Sequence, residues 1–303
     1  MNISILSAES LGVRGLCCHV ETRERNILID PGLALGYMRH KLLPHPRQVL
    51  VAEKVRRKII TLWGEATDIV FSHFHGDHVP LVDANPYQLR AAELTGRGDK
   101  KTRIWCKNQN HLSPSEAGRM ETLKETLGLD FLSGEDMSCG PLRFSCAVPH
   151  GDPHATGDMV MMTLVEEDRR FLHASDIQLL NHETVSKVLA WRPDILLAGG
   201  PPLYLSRLSE RQIHEAWENA LRLARGVGVF ILDHHLLRCS EGMTWLKRLS
   251  MVAGKPVLCA ADFIGKKPML LEAERQSLYR TFPVSQGWHE DYAQGKATTE
   301  NYQ

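Results

Sequence analysis

The 303-residue sequence predicts an α/β protein, one domain built in two similar halves. Three observations lead there. Short apolar runs bounded by turn residues alternate with amphipathic segments through the second half. The first thirty residues are rich in strand-forming runs. Polar residues able to bind metal follow directly on several apolar runs, at the strand ends where layered α/β folds build ligand sites.

Taken in order, "NISILS", "GLCCHV" and "NILID" predict a β-meander, the last run ending at Asp30-Pro31-Gly32. "PHP" at 44–46 reads as a rigid turn. "VLVAEKVRRKIITLWGEA" predicts a helix with Val51, Val55, Ile59 and Leu62 on its apolar face and Arg56, Arg57 and Lys58 towards solvent. "TDIVF" (67–71) is an apolar, β-branched run and reads as a buried strand. From Val79 to about Lys107 the pattern weakens, and "TGRGDKK" reads as an exposed loop. "SPSEAGRMETLKETLG" is a helix with Ser113 as cap, Pro114 at its first position and Glu116 completing a capping box. "LRFSCAVPH" and "MVMMTLVEE" are strands around the loop "HGDPHATGD".

The grammar then repeats. "RFLHASD" is a strand ending at Asp176, and "NHETVSKVLAW" a helix stopped before Arg192-Pro193. "DILLAGG" is a strand, and "SERQIHEAWENALRLARG" a helix capped by Ser209 and closed near Gly226. "VGVFILDHH" is a strand ending in histidines. The signal fades near Lys266. The expected organisation is therefore a domain over 1–265 and a C-terminal extension over 266–303, a mobile tail or flap.

Lys plus Arg and Asp plus Glu each number 36, so the formal net charge is zero with His neutral. That balance argues against an overall electrostatic footprint for nucleic acid or an anionic membrane, while leaving a local patch open. No apolar run reaches about 18 residues, so no membrane span is expected. The seven cysteines (17, 18, 106, 139, 146, 239 and 259) form no C-x-x-C pair. With no secretory character in "MNISILSAES", reduced thiols in a cytoplasmic protein are expected.

The densest chemistry is "FSHFHGDHVP", residues 71–80, with His73, His75, Asp77 and His78 crowded just after a strand. A single His is more often a core or surface residue than a ligand. Residue frequencies, however, give this four-residue pattern a chance expectation of roughly 0.002 per chain of this length. Three imidazoles and a carboxylate suit zinc or another borderline first-row metal. Asp30, His150, Asp176 and the pair His234-His235 likewise follow apolar runs.

This set resembles the metallo-β-lactamase superfamily, in the family's order and across about residues 1 to 260: "LIDPG", "HFHGDH", "AVPHG", "HASDIQ" and "ILDHH". Longer stretches, "IDPGLALGYMRHKLLPHP", "SHFHGDHVPLVDANPYQL" and "ILDHHLLR", are similar to a chiefly archaeal branch of predicted metal-dependent hydrolases, a resemblance that names no substrate. It implies an αββα four-layer sandwich with a dinuclear metal site. His73, His75 and His150 would hold the first metal. Asp77, His78 and His234 (alternatively His235) would hold the second, with Asp176 bridging and Asp30 orienting the site from behind. A hydroxide shared by two cations would cleave an ester, lactone or phosphoester, Asp77 doubling as proton shuttle. The cations are expected to be zinc, with manganese or iron also compatible.

His234 is favoured because it directly follows the strand. Alternation along a strand would leave His235 to reach substrate or the layer behind the ligands. His154 and Arg238 are weaker candidates for substrate contact, and His173 is expected to face away. Asp152 and Asp158 read as turn-formers.

The expected substrate is a small molecule or a phosphoester, with nucleic acid left open. The alternative within hydrolases is a tRNA-processing-like or other nuclease. Neutral charge and the lack of an aromatic-basic stripe weigh against it. A metal-free binding protein is a further alternative, weakened because every expected ligand position is filled. Flavo-diiron relatives carry Glu where this chain has His75.

Overall fold

A computed structural model of the chain describes residues 1–99, 101–152 and 157–302. Six strands, Asn2–Ile5 (β1), Cys18–Glu21 (β2), Asn26–Ile29 (β3), Asp68–Phe71 (β4), Arg103–Cys106 (β5) and Phe131–Ser133 (β6), lie side by side in chain order. The first three are an antiparallel meander, and pairing from β3 to β6 is parallel. Ser138–Cys139 (β7), Leu142–Pro149 (β8), Met159–Glu166 (β9), Arg170–His173 (β10), Ile195–Ala198 (β11), Val229–Leu232 (β12) and Val257–Leu258 (β13) form the second sheet in the same manner. It is antiparallel up to β10 and parallel beyond. The two halves are thus built alike.

Alternation along the strands sorts side chains into layers. Ile27, Ile29, Val70 and Trp105 face the second sheet, where the Trp105 and Phe144 rings meet at 5.3 Å and Met161 and Val165 share the Phe144 face. The intervening Leu28, Ile69, Phe71 and Ile104 pack the other way, against helices Pro46–Glu65 (α1) and Pro114–Leu127 (α2), through Ile59, Trp63, Met120 and Leu123. Helices His182–Ala190 (α3), Glu210–Gly226 (α4) and Glu241–Ala253 (α5) cover the second sheet with Val185, Val188, Ala220, Leu223, Leu246 and Leu249. The result is the αββα four-layer sandwich of the metallo-β-lactamase fold. Three short helices, Ala260–Phe263 (α6), Arg275–Thr281 (α7) and Trp288–Ala293 (α8), complete the chain. Among the described residues no helix is long and apolar enough to cross a membrane.

The helix starts follow the capping logic. Ser113 Oγ accepts from Glu116 N–H, Asn181 and Ser209 cap α3 and α4, and Gly128 closes α2 at φ 63°. The "PHP" turn proves to be the cap of α1. His45 Nδ1 accepts from Arg47 N–H, and Nε2 donates to the Phe282 carbonyl. Within α1 the fully buried stripe is Val49, Ala52, Ile59, Leu62 and Trp63, while Val51 and Val55 are only partly buried. Arg56 is not spread in solvent, because its Nη2 donates to the carbonyls of Pro86 and Gln88.

Strand β5 and helix α5 were among the elements not expected. Strand β5 is only four residues long, and α5 is partly exposed along its length. The segment after 265, expected to be a mobile tail or flap, is anchored to the body by particular side chains. The Arg275 guanidinium is buried and donates to Gln48 Oε1 at 3.0 Å and to the carbonyls of Gly36 and Leu42 at 2.6 and 3.0 Å. His289 bridges the Tyr87 and Tyr279 hydroxyls at 2.8 and 2.7 Å, and Trp288 stacks on Tyr292 at 5.0 Å. A segment held by such single anchors has no periodicity to read. Trp288→Ala is expected to lower the unfolding free energy by about 3 kcal/mol in urea denaturation. A loss under about 1 kcal/mol would mean that the C-terminal helices contribute little to the fold.

Candidate metal centre

Five strand ends meet along one edge. Asp30 follows β3, Ser72 to His78 follow β4, His150 follows β8, Ser175 and Asp176 follow β10, and His234 and His235 follow β12. The loop after β4 is closed by His78 N–H to His75 C=O (2.9 Å). Phe74 turns into the core beneath α1 and α2, so His73 and His75 can face the site. Both backbone groups of Phe74 are held by α2: its N–H donates to Glu116 Oε1 (3.1 Å), and its C=O accepts from Arg119 Nη1 (3.0 Å). Buried Lys107 neutralises Glu116 at 2.9 Å. Beneath the loop, a Cβ at Gly32 would lie 2.3 Å from the His78–Val79 backbone, so only glycine fits.

Asp30 is fully buried and saturated with donors. Oδ1 accepts from Ser72 N–H (2.8 Å); Oδ2 accepts from Ser72 Oγ (2.7 Å), Ser175 Oγ (2.8 Å) and His78 Nδ1 (3.0 Å). Burial alone would raise this carboxyl, yet the His78 hydrogen bond and charge hold it below its ordinary value. With its own proton given to Asp30, the Ser72 hydroxyl accepts from His73 Nδ1 (2.9 Å). His73 therefore turns an Nε2 lone pair inward, and His78 turns its Nε2 inward with Nδ1 held by Asp30.

Around Asp176 the other donor atoms fall into two overlapping pockets. The first gathers His73, His75, His150 and Asp176, with His150 Nε2 3.3 Å and His73 Nε2 3.7 Å from Asp176 Oδ2. The second gathers Asp77, His78 and His234. His234 Nε2 stands 3.3 Å from His78 Nε2, 3.3 Å from Asp176 Oδ1 and 3.5 Å from Asp77 Oδ2. His235 does not point away. Its Nε2 reaches Asp176 Oδ2 at 3.1 Å, on the His150 side. Strand alternation fails here because β12 ends at Leu232 and His234 takes φ 41°, turning the chain so that both rings face inward.

Desolvation, reinforced by neighbouring rings at His73 and His75 and by the Arg238 charge at His235, holds His73 and His235 well below the usual imidazole range and lowers His75. Desolvation and the Arg238 charge bring His234 down to about 4. Burial would raise Asp176, but the facing imidazoles keep it well below a normal carboxyl, and Asp77 is lowered by His78 and Arg238 against the same penalty. His78 is the exception: burial would lower it, and the Asp176 and Asp30 carboxylates raise it well above normal. The other imidazoles are neutral around ionised carboxylates, which suits a divalent cation, and His78 would join the set by giving up its Nε2 proton. The fit has a direct sign. His73 Nε2 and Asp176 Oδ1 are buried without a hydrogen-bond partner, although His78 Nε2 stands 3.0 Å from Oδ1 in a poor alignment. Buried polar atoms are rarely left so.

A cavity of about 300 Å³ opens on the first pocket, bordered by His75, His150, Gln178, Leu180, Tyr204 and His235. Asp152 takes a hydrogen bond from Gln212 Nε2 beside it, while His154 lies outside the described residues. His173 Nε2 bonds the Leu16 carbonyl, away from Asp176. Arg238 meets Asp77 and His234 rather than the open cavity. The sequence reading missed Ser72, Ser175, Gln178, Tyr204 and Glu9. Ser72 and Ser175 stand next to motif residues, which was a signal. Tyr204 and Glu9 lie in loops that offered none.

No protein-family model matches the chain. Among curated proteins it is similar to a UPF0282 protein of Methanosarcina mazei, 49% identical over 100% of this chain and 99% of the relative. UPF0282 proteins of Methanopyrus kandleri (34% identical; 92% and 99% covered) and Thermococcus sibiricus (31%; 95% and 100%) are also similar. Among solved structures, an isothiocyanate hydrolase from Delia radicum gut bacteria is similar in fold, with a TM-score of 0.50, 14% identity, and 84% and 93% of the two chains covered. A subclass B3 metallo-β-lactamase of Bradyrhizobium japonicum matches at a TM-score of 0.31, with 15% identity and 74% and 92% covered.

Asp30→Asn should weaken metal binding by about 10- to 100-fold, and Ser72→Ala should weaken it in the same direction, in competition with a chromophoric chelator. Unchanged affinity in both variants would remove ring orientation as the role of Asp30.

Proposed function

Because the chain belongs to the UPF0282 family and has the metallo-β-lactamase fold, we propose that it is a metal-dependent hydrolase that uses two divalent cations to cleave an ester, lactone or phosphoester. The observation that carries this reading is the convergence of His73, His75, His150, Asp176, Asp77, His78 and His234 on two overlapping pockets, with buried, unpartnered atoms among them. Zinc fits the donor set best, and manganese or iron is compatible.

Bound there, the cations would supply activation of water near neutral pH and polarisation of the scissile carbonyl or phosphoryl group. The rest falls to the chain. Asp176, facing both pockets, orients the attacking side. The cavity beside His75, His150 and His235 receives the substrate, with Leu180, Pro202 and Leu205 as apolar walls. The Tyr204 hydroxyl, 3.3 Å from His235 Nδ1, borders this space and can donate to a substrate oxygen. Asp77 lies on the Arg238 side of the site, its side chain 16% exposed. The cationic neighbours that keep it ionised make it a weak proton acceptor, so a proton taken from water would pass on readily to the leaving group.

The decisive test pairs elemental analysis of the purified protein with turnover of bis-p-nitrophenyl phosphate and a simple lactone. Metal on the chain and hydrolysis of either substrate are expected. Asp77→Ala and Asp176→Ala should each lower turnover at least about 10³-fold with the circular dichroism spectrum retained. Full activity in either variant, or a chain that cannot be loaded with metal, would sink the mechanism.

A further inference from the structure

The two pockets differ in one respect that no ligand motif encodes. Arg238 Nη2 donates to Asp77 Oδ2 at 2.9 Å and lies 2.6 Å from His234 Nε2. Nη2 is also 3.3 Å from Nδ1 of the same ring, so the guanidinium lies against the His234 ring beside Nε2 rather than along its lone pair, and its charge faces the atom a cation would take. Asp77 and His234 are two of the residues that define the second pocket. Among the described residues, no Lys or Arg nitrogen is hydrogen-bonded to His73, His75 or His150 of the first.

Nor is Arg238 a surface arm that swings aside freely. It is buried, its Nε donates to Glu9 Oε1 at 2.9 Å, and its Nη1 donates to the Tyr204 hydroxyl at 3.2 Å. Glu9 is buried in turn, within 3.9 Å of Arg14, whose Nε donates to Glu272 at 2.7 Å. Withdrawing the guanidinium would break its buried hydrogen bonds to Glu9, Tyr204 and Asp77. Arginine also keeps its charge at any working pH. The second pocket is thus faced by a fixed positive charge at hydrogen-bond distance, whose repulsion in a partly buried setting is far stronger than in water.

We propose that Arg238 makes the two metal pockets unequal: the protein holds one divalent cation tightly at His73, His75, His150 and Asp176, and takes a second at Asp77, His78 and His234 only against the guanidinium. This rests on the metal-binding reading above and deepens it. At low metal the guanidinium stands as the second cation of the site. It holds the Asp77 carboxylate in place, and a second metal ion must compete with it for Asp77 Oδ2 and bind His234 beside its charge.

The test is a zinc titration of the chelator-stripped full chain against a chromophoric chelator, with native mass spectrometry counting the ions bound. Wild type should bind one zinc at least about 100-fold more tightly than the second. Arg238→Met should strengthen the second event at least tenfold and move the first by less than about threefold. Should Arg238→Met misfold because Glu9 is left without its partner, the double variant Glu9→Gln/Arg238→Met removes that charge and should show the same gain. Two equal sites in wild type overturn the proposal, as does a second site unmoved in a folded variant. A wild-type chain that binds no zinc defeats the metal reading itself, an outcome distinct from equal sites.

Discussion

The buried Asp30 carboxylate is the interaction on which the rest of the site depends. A charge taken wholly out of water is tolerated only when its lone pairs are filled. Here the donors come from the strand end after β4 and from the turn after β10, so one side chain ties the first sheet to the second. The same bonds decide which nitrogen of His73 and His78 keeps its proton. Sheet packing and ligand orientation are therefore set by one group. The α2 side chains Glu116 and Arg119, gripping Phe74 from the opposite face, fix the loop between those two rings.

Backbone conformation does related work. Asp30, Ser175 and His234 are non-glycine residues with φ of 47°, 50° and 41°, and each lies just past a strand that feeds the site. Left-handed conformations at such residues cost about 1–3 kcal/mol each and persist where the surroundings over-determine them. The reversals stop the strands and aim side chains across the edge. At Asp30 and Ser175 buried hydrogen bonds offset the cost.

Charge then divides what geometry has gathered. The donor atoms around Asp176 would look nearly symmetric on ligand type alone, yet Arg238 touches only the second set. Its ion pair with Glu9 continues through Arg14 to Glu272, which also accepts from Gly36 N–H. A carboxylate from the C-terminal segment is thus linked to the metal centre by a chain of buried charges. That link gives residues beyond 265 a place in the electrostatics of the site.

The sequence alone determined the elements that local chemistry specifies. The β4 run, the capped helices at Ser113 and Ser209, and the H-x-H-x-D-H cluster were legible because propensity, caps and ligand types are properties of neighbours along the chain. The repetition of strand and helix gave the two-half architecture for the same reason. Other features were decided only by the tertiary structure. Both His234 and His235 face Asp176, since alternation applies inside a strand and not to the turn beyond it. Ser175 meets Asp30, Tyr204 meets His235, and Arg238 meets Asp77, because two sheets pack face to face and bring remote loops to one edge. No period or spacing encodes such a meeting. It follows from how the sandwich closes, which is a property of the whole packed core.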